Sequence, residues 1–169
     1  MEEKDITAMI KELGSRLPKF EDGRINYSSS DIAPVVSVFI AYDGKFLLLK
    51  RSSKVQHYKG LWDTVSGYID ELKPIKTKAL EEVWEETGIG TDLIREVKTA
   101  APYTLQDHNL GRSWVICPVL VVLSSKPDIL LDFENDECRW VSPEEIKNYA
   151  TVPDLATGLN IVLGISSSL

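Results

Sequence analysis

The chain has 169 residues, 43% of them hydrophobic, a formal net charge of −7 and a sequence pI of about 4.9. That length and apolar content fit one folded domain with a small appendage and exclude a disordered chain. The acidic balance argues against general nucleic-acid binding, because no basic surplus exists to displace counterions from phosphates. A small phosphorylated ligand is still compatible, its charge offset by a local basic cluster or a metal ion.

Only two cysteines occur, Cys117 and Cys138, with no CxxC spacing. A reducing, cytoplasmic compartment is the expectation. The N-terminus MEEKDITAMIKELG is acidic and unlike a signal peptide. No apolar run approaches the ~20 residues a membrane-spanning helix needs, so no membrane partner is expected.

In chain order, residues 5–17 place Ile6, Met9, Ile10, Leu13 and Leu17 at helical spacing. This amphipathic stripe must cover either the main core or a second copy, which leaves a homodimer open. Residues up to 31 read as a linker, so the expected division is 1–31 for helix and linker and 32–169 for the principal domain. PVVSVFIAYDGKFLLLKRS then gives two apolar runs joined by Asp43-Gly44, a strong signal for a tight hairpin turn. A polar loop from 56 to 61 leads into WDTVSGYID, a short strand and turn.

Pro74 stands where a helix can begin. Ile75, Ala79, Leu80, Val83 and Trp84 form one apolar arc, and Gly88 is placed to end the helix. Residues 93–99, 113–123 and 138–141 read as strands. Pro118 in the second of these predicts a bulge or an edge position. Ser142-Pro143-Glu144-Glu145 opens a short helix, and residues 153–165 form a closing one. The expected class is α/β, a mixed sheet with helices against both faces. Beyond the terminal serines there is no low-complexity tract.

KALEEVWEETGIG, residues 78–90, carries four glutamates within six positions. At about 100° per residue, Glu82, Glu85 and Glu86 fall on one patch, with Lys78 a turn earlier on the same side. Such crowding is poor structure, but converging carboxylates suit a hard divalent cation, Mg²⁺ or Mn²⁺, which favours oxygen ligands and phosphate-bearing substrates. The bland alternative is a solvated acidic face balanced by Lys76 and Lys78.

GYIDELKPIKTKALEEVWEETGI, residues 67–89, resembles the signature of the Nudix hydrolases. Gly67, Glu82, Val83, Glu85, Glu86, Gly88 and Ile89 fall in register with that pattern, seven of its nine specified positions. The likeness extends over roughly residues 33–150. It implies an α/β/α sandwich that hydrolyses a nucleoside diphosphate linked to another moiety, of the nucleotide-sugar, triphosphate or dinucleotide type. It further implies that Glu82, Glu85 and Glu86, with the Gly67 carbonyl, hold Mg²⁺ or Mn²⁺. Lys73 stands where the pattern has Glu, and Glu81 where it has Arg. The reversed charges predict an inverted ion pair holding loop to helix. The same departures keep a second reading open, a catalytically weak or inactive nucleotide-binding module. Isopentenyl-diphosphate isomerase chemistry is disfavoured, since Ser66 stands where that family has a cysteine.

A further carboxylate is needed as general base or extra ligand. Within DFENDECRW, Glu134, six residues before Trp140, looks most like the Nudix residue of that role, with Glu137 second. Lys50 and Arg51 end a hairpin strand near the expected site, where Arg51 would clamp a phosphate. His57 and Tyr58 lie in a loop able to contact a base or sugar. The expected partner is therefore a small nucleotide or other diphosphate.

Overall fold

The computed structural model describes residues 1–166; the remainder of the terminal serine run lies outside them. Three α-helices, α1 (Glu3–Arg16), α2 (Ile75–Thr87) and α3 (Leu155–Ile165), flank one mixed sheet. Its strands are β1 (Ile32–Tyr42), β2 (Lys45–Arg51), β3 (Trp62–Asp63), β4 (Val65–Tyr68), β5 (Ile94–Thr99), β6 (Tyr103–Asp107), β7 (Arg112–Leu123) and β8 (Asn135–Val141).

The centre of the sheet is the parallel pair β1 and β7, in register from Ile32 opposite Ser113 to Ala41 opposite Val122. Parallel strands covered on both faces read as continuous apolar runs, which is why β7 is WVICPVLVVL over most of its length. The expected turn joins β1 to β2, with Asp43 and Gly44 at φ 48° and 72°. Alternation then sorts the side chains. Val36, Val38, Ile40, Leu47 and Leu49 face α1 and α2, while Phe39, Ala41, Phe46 and Leu48 face α3. The α/β/α sandwich follows from that division.

The stripe on α1 covers the chain's own core. Ile6, Ile10 and Leu13 are buried in the same cluster as Val36, Ala79 and Val83, each burial contributing on the order of 2 kcal/mol. Glu3 also accepts a hydrogen bond of 3.0 Å from the backbone N–H of Ile75. A carboxylate from α1 thereby caps the first turn of α2, a role Pro74 has no side chain to fill.

Two expectations change. Pro118 lies neither at an edge nor at a bulge but in central strand β7. On the side away from β1, β7 pairs β5 through Val119 and β6 through Ile116, and Pro118 falls in the gap between those partners. Its carbonyl accepts from Ala100 N–H across that gap, so its missing N–H faces the place where the partner strand changes. Trp84 is not part of the buried arc of α2 and is 62% exposed. The buried face of α2 is instead Ile75, Lys78, Ala79, Glu82, Val83, Glu86 and Thr87, so the acidic patch turns inward. Strand β6 is an addition to the expected elements.

Candidate active site

A cavity of about 450 Å³ opens where β4, α2 and the loops after β2 and before β8 meet. Glu82, Glu85 and Glu134 line it, as do Arg51, His57, Tyr58 and Gly67. Glu82 and Glu86 are buried and Glu85 is exposed.

Glu86 is held from two sides. Its Oε1 accepts from Ser66 N–H at 2.9 Å and its Oε2 from Asn135 Nδ2 at 2.8 Å, which ties α2 to β4 and β8. Burial pushes its carboxyl well above the ordinary range against those two bonds, and the charges of Glu134 and Glu82 push it further. Glu82 lies against the backbone of Gly67, where an added methyl would sit 2.2 Å from its carboxyl carbon. Its Oε1 is 2.7 Å from Lys78 Nζ. Burial raises Glu82 despite that lysine, with Glu85 and Glu134 adding to the effect. Glu134 is raised by burial and then by Asp132 and Glu85, with Arg51 opposing. Burial is the first cause of all three shifts, and neighbouring carboxylates add to each. Among the described residues, however, no three such side chains are gathered closely enough to hold a metal ion as they stand. Glu82 is turned to Lys78, and Glu86 is spent on Ser66 and Asn135.

Glu134 and Glu137 are separated by the structure. Glu134 lines the cavity, its loop fixed by Ser52, which donates from N–H to the Glu134 carbonyl at 2.7 Å. Glu137 pairs instead with Lys50 at 2.9 Å and Arg139 at 3.1 Å. Lys50 and Arg51 diverge as successive strand residues do. Lys50 turns to Glu137 and to the ring of Trp62, away from the cavity lining. Arg51 turns inward, its Nη1 3.3 Å from Asp63 and its Nε donating to the His57 carbonyl at 3.1 Å.

Aromatic rings line the same cavity. Trp114 lies 6.0 Å from Tyr68 and 6.2 Å, edge-on, from His57, with the Arg112 guanidinium 4.5 Å over its ring. Burial, then the charges of Arg112 and Arg51, lower His57 below its ordinary value, so it is neutral at physiological pH. Tyr58 donates to Asp107 from a backbone at φ 57°. Arg24, Asp63, Asp70, Tyr68 and Trp114 all border the cavity and were not singled out from sequence. They come from a linker, a turn and strands, where no spacing marks them.

Lys73 and Glu81 do form the inverted pair. Lys73 Nζ lies 2.9 and 3.0 Å from the two Glu81 oxygens and 2.8 Å from Glu71. Such half-exposed pairs are worth up to about 1 kcal/mol. Lys73→Glu and Glu81→Arg are each expected to lose about that much in urea denaturation, and the double variant to recover most of it. Additive losses would contradict the pairing.

Comparison with known proteins agrees with this geometry. Residues 31–158 match the family model for the NUDIX domain. A nucleoside triphosphatase, NudI of Klebsiella pneumoniae, is 26% identical over 68% of this chain and 85% of its own length. The phosphatase NudJ of Escherichia coli K12 is 29% identical over 66% of this chain and 69% of its own. Among solved structures, a NUDIX hydrolase from Nitrosomonas europaea superposes with a TM-score of 0.65 at 19% identity, over 78% of this chain and 88% of its own. A bifunctional NMN adenylyltransferase/ADP-ribose pyrophosphatase from Francisella tularensis, solved with AMP and manganese, gives 0.65 at 20% identity, over 96% of this chain and 47% of its own. That coverage leaves out too few residues to omit α1.

The fold and the acidic cavity are those of an α/β/α sandwich of the Nudix class, a class associated with hydrolysis of pyrophosphate bonds. The chain belongs to the Nudix hydrolase family. The family works on small-molecule nucleotide substrates and in general uses divalent metal ions. No helix among the described residues is long and apolar enough to cross a membrane.

Proposed function

We propose that the chain hydrolyses the pyrophosphate bond of a nucleoside diphosphate linked to another moiety, using Glu82, Glu85, Glu86 and Glu134 with Mg²⁺ or Mn²⁺. The observation that carries this reading is that Glu82, Glu85 and Glu134 line one cavity together with Arg51 and the aromatic rings of Tyr68 and Trp114. Mutually repelling carboxylate oxygens are the donors a hard divalent cation takes, and the Gly67 backbone lies against one of them. The donor chemistry fits, and Glu82, Glu85, Glu86 and the Gly67 carbonyl would hold the ion once Glu82 and Glu86 turn from their present partners. Held there, a divalent cation would supply positive charge to offset the phosphates and would lower the pKa of a water beside them.

The remaining roles fall to the chain's own groups. Glu134, raised by burial, is suited to accept the proton of that water. Arg51, anchored on Asp63, brings fixed positive charge to the phosphates. The rings of Tyr68 and Trp114 offer flat surface to a base, with neutral His57 and Tyr58 beside it. The volume suits a nucleotide-sized ligand. Two free thiols and the acidic balance support a cytoplasmic protein without nucleic-acid partners.

A second reading, a binding module with little turnover, is favoured by one observation: Lys78 already satisfies Glu82 without a metal. The two separate in an assay of phosphate-bond cleavage with Mg²⁺ or Mn²⁺ against ADP-ribose, nucleoside triphosphates, dinucleoside polyphosphates and NADH. Metal-dependent turnover of one class is the expected result. Metal-dependent binding with no turnover across the panel would replace it with the binding module.

A further inference from the structure

Lys78 is the least expected group on the cavity wall. Its side chain is 8% exposed, and lysines are seldom buried unless paired. One turn before Glu82 on α2, its Nζ lies 2.7 Å from Glu82 Oε1 and 3.6 Å from Asp70 Oδ1, an oxygen without a hydrogen-bond partner. The other Asp70 oxygen is 3.4 Å from Arg24, so one ammonium serves two buried carboxylates.

Glu82 has little freedom to leave it. On the side of Gly67, even a methyl group would come within 2.3 Å of the same Oε1. That oxygen is therefore wedged between a backbone and a fixed cation. Any second cation that uses it must share it with Lys78, against like-charge repulsion in a partly desolvated site.

We propose that Lys78 is a positioning residue that fixes Glu82 against Gly67 and competes with the divalent cation for it, setting a deliberately weak metal affinity. This rests on the reading of Glu82 as a metal holder. Lys78 keeps this part of the acidic face folded before metal arrives, which explains how Glu82 and Asp70 are tolerated inside. Removing its charge leaves Glu82 in need of a counter-ion that a divalent cation supplies.

The test is Mn²⁺ binding measured by calorimetry, with the Mn²⁺-induced rise in Tm read in parallel, on the full chain. Lys78→Met keeps the volume and removes the charge; Lys78→Arg keeps the charge. The Met variant is expected to bind Mn²⁺ at least about tenfold more tightly and to gain more Tm from it, while the Arg variant stays near wild type. Should the single Met variant fail to fold, the double variant Asp70→Asn, Lys78→Met removes the orphaned carboxylate and carries the same expectation. Equal or weaker binding in a folded Met variant overturns the proposal and leaves the metal-site reading standing. Absence of Mn²⁺ binding in wild type and every variant overturns both.

Discussion

Gly67→Ala is expected to lower kcat/KM at least about 100-fold, because a group displaced by about 1 Å costs that much in a positioned site. The added Cβ would lie 2.2 Å from the Glu82 carboxyl carbon and 2.3 and 2.7 Å from its oxygens. Real contacts do not come so close, so something must move. Gly67 belongs to β4, paired with Val36 of central strand β1, and the strand has little room to retreat. Glu82 must then swing, which disturbs its 2.7 Å contact with Lys78. The loss should appear in turnover together with about 1–3 kcal/mol of stability, the usual range for strain in a packed interior. Gly164→Ala is the control of opposite sign. That glycine lies in α3 with open space around it, and alanine there gains up to about 1 kcal/mol. Full activity in Gly67→Ala would show that Glu82 does not act from where it stands.

Glu86→Gln should separate activity from stability in the opposite way. The amide keeps the acceptor for Ser66 N–H but no longer presents a charged oxygen. Loss of one oriented charge at a phosphoryl-transfer centre costs about 100- to 1000-fold in kcat. Stability in the metal-free protein should hold or rise, since a buried carboxylate repelled by Glu134 and Glu82 is gone and Asn135 can turn its amide oxygen to accept from the new Gln amide. The pH dependence has a definite sign. Glu86 has its folded-state pKa raised above the ordinary 4.5, so the folded chain binds the proton more tightly than the unfolded one. Its contribution is full below the unfolded value and falls as pH rises through the folded one. The stability advantage of the Gln variant should therefore widen as metal-free protein is taken up from pH 4.5, measured by urea denaturation. A constant gap across that range would mean that burial does not raise Glu86 above its ordinary value.

The features legible from sequence were those set by local chemistry. Asp43-Gly44 needs positive φ for a tight turn, Gly88 ends α2 at φ 70°, and the i, i+3, i+4 spacing puts Glu82, Glu85 and Glu86 together. The Lys73–Glu81 pair was legible because two departures from one pattern reversed each other's charge. What escaped depends on tertiary placement. Trp84 joined an apolar arc by hydrophobicity alone, yet α2 turns Glu82 and Glu86 inward, and a helix rotated to serve the cavity leaves Trp84 outside. Pro118 reads as an edge residue until β5 and β6 are seen to share one side of β7. Strand β6 had a signal, Tyr103 and Leu105 alternating with Thr104 and Gln106, but five residues beside Ala100-Ala101-Pro102 do not stand out. Arg24 and Lys78 meet at Asp70 from segments far apart in the chain, and no spacing announces that.

The central claim is that the carboxylates of α2 form a metal-dependent hydrolytic centre, and the location of the metal tests it most directly. A crystal grown with Mn²⁺ and read by anomalous scattering should show the ion within coordinating distance of Glu82, Glu85 or Glu86 beside the Gly67 backbone. Manganese bound only elsewhere in an active crystal form would contradict the account.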